Sequence, residues 1–126
     1  MTVSKNLSER AATERGQRDQ RMVIADFDQS PFTIAWEVTR ACAYACVHCR
    51  ADAIHHRDPN EPSTDEAKSL LDDLTGFGSP ILIFTGGDPM MRPDLAELIS
   101  YAAESGLRCS LTPTATALPT KKRLEE

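Results

Sequence analysis

The sequence predicts an α/β chain of order β-α-β-α-β built around a parallel sheet. Three observations predict it. Three short apolar, β-branched segments begin near Phe32, Pro80 and Leu107. Two segments with apolar residues at helical spacing separate them. Turn residues stand at the junctions, and the strand–helix alternation is that of a parallel sheet with helical crossovers.

FTIAWEV, Phe32 to Val38, reads as a buried strand, and a cysteine-bearing loop follows it directly. IHHRDPNEP is polar and contains proline, so it reads as loop. STDEAKSLLDDLTGFG opens with a capping-box pattern, Ser63 with Glu66. Ala67, Leu70, Leu71 and Leu74 would then share one buried helix face, with Gly76 and Gly78 ending the helix. PILIFT, Pro80 to Thr85, is the second strand and GGDPMMRP a turn. Pro93 suits the first turn of the next helix, Leu95, Leu98, Ile99 and Ala102 its inner face, and Gly106 its end. LRCSLT, Leu107 to Thr112, alternates as a third strand. Residues 1–30 form a polar leader, flexible or weakly helical, with a docked helix as the rival reading. Residues 118–126 form a polar tail, in which TKKRLEE suits one helical turn. Three such strands leave one sheet face uncovered and one edge open, so the expectation is the front portion of a longer protein.

Acidic residues outnumber basic ones 19 to 14, for a net charge of −5. That argues against a surface built for nucleic acid phosphates. No apolar run is long enough to span a membrane, and the N-terminus lacks the apolar stretch of a secretory signal. The expectation is a cytoplasmic, reducing compartment. There, clustered cysteines serve as metal ligands or catalytic groups more often than as disulfides.

Cys42, Cys46 and Cys49 have the spacing C-x3-C-x2-C, at the carboxyl end of the first strand. Parallel α/β folds place their sites at that edge. Thiolates suit iron–sulfur clusters or zinc. Structural zinc wants a fourth protein ligand, for which His48, His55 or His56 is in range along the chain. Three thiolates on a four-iron cubane would leave one iron open to a ligand. The plain alternative is a helical face of small buried side chains.

CAYACVHC, followed by GGDP after the second strand, resembles the radical S-adenosylmethionine enzymes. The resemblance covers about residues 31–117, as a partial domain of that family. It implies the N-terminal part of a partial or complete parallel (β/α) barrel. The wording around both motifs is similar to the subgroup with a C-terminal auxiliary iron–sulfur domain, which includes peptide-maturing and haem-type tetrapyrrole-modifying enzymes. The resemblance implies that Cys42, Cys46 and Cys49 each bind one iron of a [4Fe-4S] cluster. S-adenosylmethionine would chelate the fourth iron and be cleaved reductively to a 5′-deoxyadenosyl radical that abstracts hydrogen from a peptide or tetrapyrrole-like substrate. A flavodoxin or ferredoxin would supply the electron. The alternative function is a non-catalytic zinc or iron–sulfur module.

By the same resemblance, Gly86, Gly87 and Asp88 would bind the amino end of the cofactor methionine. Both glycines can take positive φ, and Asp88 stands where glutamate is commoner, one methylene shorter. On that reading a valine at Gly87 would weaken cofactor binding and leave the thiolates in place. His48 would meet the adenine, with a fourth metal ligand or ordinary packing as rivals. The resemblance suggests polar cofactor contacts along or after strand 3, where Ser110, Thr112 and Thr114 fall, and the alternating pattern points to Thr112. Tyr44 is a flap or loop packing. Arg50 sits beside the cluster or faces solvent. Either Trp36 or Glu37 faces the lumen, and Cys109 reads as a structural thiol. His55 and His56 read as solvated loop.

Overall fold

The computed structural model describes residues 26–115 and 121–125. The predicted leader up to residue 25, residues 116–117, and tail residues 118–120 and 126 lie outside the described residues. Strands β1 (Thr33–Thr39), β2 (Ile81–Gly86) and β3 (Arg108–Leu111) form one parallel sheet in the order β1-β2-β3. Helix α1 (Thr64–Leu74) links β1 to β2, and helix α2 (Leu95–Glu104) links β2 to β3. A short helix α3 (Lys121–Glu125) follows. The architecture is the expected N-terminal β-α-β-α-β sheet, not closed into a barrel, with β1 and β3 as its two edges. Among the described residues, no helix is long and apolar enough to cross a membrane.

Helix α1 starts where the capping box places it. The Ser63 hydroxyl accepts from the Glu66 amide, and the Glu66 carboxylate accepts from the Ser63 amide at 2.8 Å. Ala67 and Leu71 are buried, and Leu74 packs on the core. Leu70 departs from expectation and is 36% exposed. It lies at the margin of the stripe that Ala67, Leu71 and Leu74 define. The chain then tightens into a 3-10 turn, Thr75–Phe77, before Gly78.

Helix α2, by contrast, starts later than Pro93 suggests. Asp94 is its N-cap, its carbonyl accepting from the Leu98 amide at 3.0 Å, so Pro93 precedes the helix. At the other end the Leu107 amide donates to the Ala102 carbonyl and the Gly106 amide to the Ala103 carbonyl. That is a Schellman motif, and it brings buried Leu107 back over the helix.

The sheet has one covered and one open face. Ile34, Trp36, Val38, Leu82, Phe84, Cys109 and Leu111 belong to the helix-side core or pack against it. The Trp36 and Phe84 rings meet at 5.7 Å between centroids. Thr33, Ala35, Glu37 and Ser110 point the other way and are exposed. β1 therefore alternates instead of being buried throughout, because only one of its faces is packed. Glu37, not Trp36, is the residue on the open face.

Candidate functional site

The site is assembled at the carboxyl edge of the sheet, and it starts with an irregularity. Glu37 pairs with Thr85 and Thr39 with Gly86, which leaves Val38 as an extra residue, a bulge in β1. The carbonyl of Val38 receives Nη1 of Arg92 at 3.0 Å. Beyond the bulge, Thr39 to Cys42 form a stem that leads into the cysteine loop. On one side the Gly87 amide donates to the Thr39 carbonyl (2.9 Å) and the Asp88 amide to the Ala41 carbonyl (2.7 Å). On the other side the Ile54 amide donates to the Arg40 carbonyl (2.9 Å) and the Cys42 amide to the Ile54 carbonyl (2.8 Å). The stem thus runs between the Gly86-Gly87-Asp88 turn and the returning end of its own loop. Both sequence motifs meet there.

The two glycines are required by this closeness. Gly86 has φ of +142°, a region that favours glycine. A β-carbon on it would lie 2.2 Å from the Thr39 carbonyl oxygen. Gly87 does not have positive φ. Its absent side chain makes room for the stem, since a β-carbon there would lie 2.5 Å from the Ala41 oxygen and 2.6 Å from the Arg40 oxygen. Asp88 is fully buried, and its Oδ1 accepts from the Met90 amide at 3.0 Å and, at 3.5 Å, from the Thr114 amide. It caps the 3-10 turn Pro89–Met91.

The cysteine loop is closed at its neck. The Arg40 guanidinium reaches across to the Asp52 carbonyl (2.7 Å) and carboxylate (3.0 Å). Cys42 is buried at the base, and Cys46 and Cys49 are exposed on the outer limb. The Tyr44 amide donates to the Cys42 sulfur and the Ala53 amide to the Cys49 sulfur, each at 3.4 Å. Amide hydrogen bonds to cysteine sulfurs are among the features that tune an iron–sulfur cluster. Among the described residues, no three His, Cys, Asp or Glu side chains converge closely enough to hold a metal ion. The donors nonetheless fit a cluster in kind: three free thiols on one pinned loop, two of them with amide donors in place.

The remaining expected residues fall around this edge. His48 is exposed on the loop, as are His55 and His56 beyond it. Thr112 is exposed, and its amide and hydroxyl both donate to the Phe84 carbonyl, at 3.1 and 3.4 Å. Its neighbour Thr114 is the residue that touches the turn, its hydroxyl donating to the Gly87 carbonyl at 3.3 Å. The Tyr44 hydroxyl donates to the Ala115 carbonyl at 2.9 Å, tying the cysteine loop to the segment after β3. Arg50 pairs with Glu37 at 2.6 Å, which links the loop to the open sheet face. Cys109 packs against the core away from the loop, and burial pushes its thiol pKa up.

Two charged residues at this edge escape a motif-based reading. Glu61 accepts from the Thr39 hydroxyl, the Arg40 amide and Arg57 Nε. Arg92 is fully buried and pairs with Asp94. Burial raises the pKa of Glu61, but its hydrogen bonds from Arg57, Thr39, Arg40 and Asp58 outweigh that and hold it below the usual carboxylate value. Asp94 behaves alike: burial raises it, and Arg92 and Thr64 bring it below its ordinary value. A folded-state pKa depressed in this way contributes stability that is present above the unfolded value. That stability is lost as pH falls through the folded value. Urea midpoints should therefore hold from pH 7 to about pH 5 and drop below about pH 4, where ordinary carboxylates protonate. Glu61→Gln should flatten part of that drop. A midpoint independent of pH down to pH 3 would contradict the assignment.

Residues 36–126 match the sequence profile of the Radical SAM superfamily. The AdoMet-dependent heme synthase of Nitratidesulfovibrio vulgaris is 59% identical over 85 residues, 68% of this chain and 23% of that protein. The Fe-coproporphyrin III synthase of Methanosarcina barkeri is 45% identical over 101 residues, 79% of this chain and 25% of its own. The PqqA peptide cyclase of Bradyrhizobium diazoefficiens is 35% identical over 96 residues, 76% of this chain and 25% of its own. The chain thus spans about a quarter of the length of the curated relatives it matches. No solved structure matches it significantly.

Proposed function

The chain belongs to the Radical SAM superfamily, and from that premise we propose that it supplies the cluster- and cofactor-binding edge of a radical S-adenosylmethionine enzyme. Cys42, Cys46 and Cys49 would hold a [4Fe-4S] cluster. The chemistry that the bound cluster would supply is one-electron reduction of S-adenosylmethionine, giving methionine and a 5′-deoxyadenosyl radical for hydrogen abstraction. The protein's own part is binding and orientation. The observation that carries this reading is the stem, whose bonds of 2.9 and 2.7 Å seat the Gly86-Gly87-Asp88 turn directly against the base of the cysteine loop. In this reading the turn offers backbone to the methionine end of the cofactor, and His48 and Thr112 are its further contacts. Asp88 contributes by shaping the turn, since its carboxylate is committed to the Met90 amide.

A tetrapyrrole substrate is the reading that the names of the relatives at 59% and 45% identity favour, with a peptide as the alternative suggested by the relative at 35%. An electron donor of flavodoxin or ferredoxin type and a cytoplasmic setting complete the proposal. The organisation proposed is a leader (1–30), a partial radical S-adenosylmethionine domain (31–117) and a tail (118–126).

Anaerobic reconstitution with iron and sulfide tests the cluster. The chain should take up about four irons, the content of one cubane. Cys42→Ala, Cys46→Ala and Cys49→Ala should each lose most of that iron, and Cys109→Ala should keep it. Stoichiometric zinc without iron uptake would replace this reading with the structural-module one. Equal iron loss in Cys109→Ala would refute the three-ligand assignment.

A further inference from the structure

Every polar backbone group from the Thr39 carbonyl to the Cys42 amide is paired, and the pairings are of two kinds. The carbonyls of Thr39, Arg40 and Ala41 and the amide of Cys42 bond to backbone. The amides of Arg40 and Ala41 do not. The Arg40 amide donates to Glu61 Oε1 at 2.9 Å. The Ala41 amide donates to the Thr39 hydroxyl oxygen at 3.1 Å. That hydroxyl has a single proton, and it is given to Glu61 Oε1 at 2.7 Å, which leaves the oxygen's lone pairs for Ala41. Both amides therefore depend on one carboxylate, from a residue some twenty positions away in the chain.

Glu61 is itself fixed. Arg57 Nε donates to its Oε2 at 2.7 Å, the Asp58 amide reaches Oε1 at 3.4 Å, and its side chain is 8% exposed. Arg40 turns its guanidinium the other way, to Asp52 and Asp58, so it does not compete for this carboxylate. We infer that Glu61 is a positioning residue, whose carboxylate fixes the Thr39–Ala41 stem and thereby the place of Cys42 beside the Gly86-Gly87 turn. Its importance for the cofactor rests on the reading of Cys42 as a cluster ligand. Its hold on the stem does not.

Amide hydrogen exchange on the chain, with Glu61→Ala and Glu61→Gln, tests the hold. Glu61→Ala should speed exchange at Arg40 and Ala41 at least tenfold and leave Leu71 and Leu98, in α1 and α2, as in the wild type. Glu61→Gln keeps an acceptor oxygen and should restore most of the protection. Glu61→Ala loosens the stem without forcing it aside, since the stem's backbone bonds remain, so after reconstitution the variant should retain its iron. Its affinity for S-adenosylmethionine, read from the cofactor's effect on the reduced cluster's paramagnetic signal, should fall at least tenfold, with recovery in Glu61→Gln. Unchanged exchange at Arg40 and Ala41 in Glu61→Ala would overturn the inference. So would an equal loss of protection across α1, α2 and the stem in both variants, which marks a general structural residue. A wild-type chain that takes up no iron would refute the cluster reading alone, and the exchange pattern would still decide the role of Glu61.

Discussion

Gly86→Ala should destabilise the chain by more than about 3 kcal/mol, beyond the usual range for a single added methyl group. Two independent causes act at this position. The backbone φ of +142° is unfavourable for any residue with a β-carbon. The added carbon would also stand 2.2 Å from the Thr39 carbonyl oxygen, and that oxygen is held by the Gly87 amide. Neither side can yield without opening the ladder between β1 and β2. Gly76→Ala is the control, because nothing lies within 4 Å of its would-be β-carbon and its φ is not positive. It should change stability by less than about 0.5 kcal/mol. Urea titration of both variants measures the contrast, and equal midpoints would contradict the packing described for the turn.

The same geometry revises the expectation for Gly87→Val. The sequence suggests that a side chain there would meet the cofactor and spare the thiolates. In the structure it meets the Arg40 and Ala41 carbonyls, inside 2.7 Å. The stem must move, and Cys42 moves with it. Iron loading should therefore fall together with the response to S-adenosylmethionine. A variant with full iron and no cofactor response would restore the simpler view of the turn.

What was legible in the sequence is what repeats or caps locally. Ser63 and Glu66 announce α1 because the capping box spans only three residues. Gly106 marks the end of α2 because its partner, Ala103, is one turn away. The cysteine spacing and the Gly-Gly pair could each be seen, and their places at strand ends followed from the strand order. Their direct contact could not be seen, since it depends on the bulge at Val38 and the register that follows it. Glu61 looked like one more residue of a polar loop, because Thr39 lies 22 positions earlier. Alternation along β3 points to Thr112, whereas the contact with the turn is made by Thr114, after the strand has ended. Side chains that bridge distant segments leave no period to read.

Arg92→Met should cost about 3–5 kcal/mol, the range for breaking a buried ion pair on one side. Arg92 has no exposed surface, and each of its three nitrogens donates a hydrogen bond. Nε and Nη2 grip both oxygens of Asp94, at 2.8 and 3.0 Å. Nη1 covers the Val38 carbonyl at the bulge, and Nη2 also reaches the Pro62 carbonyl, each at 3.0 Å. One guanidinium thus joins the end of β1, the approach to α1 and the cap of α2. Methionine fills similar volume but leaves Asp94 with Thr64 as its remaining side-chain partner, and the Val38 and Pro62 carbonyls without the guanidinium. Arg92→Lys keeps the charge but cannot reproduce the planar fork, so it should recover only part of the loss. Adding Asp94→Leu to Arg92→Met removes the stranded carboxylate and should restore some stability. The Val38 and Pro62 carbonyls would still lack the guanidinium, so the double variant should remain below wild type. Urea midpoints for wild type, Arg92→Met, Asp94→Leu alone and the double variant give the coupling directly. A double variant as stable as wild type would mean that the Val38 and Pro62 carbonyls do not need Arg92, and that its hold on the bulge is incidental to its pairing with Asp94.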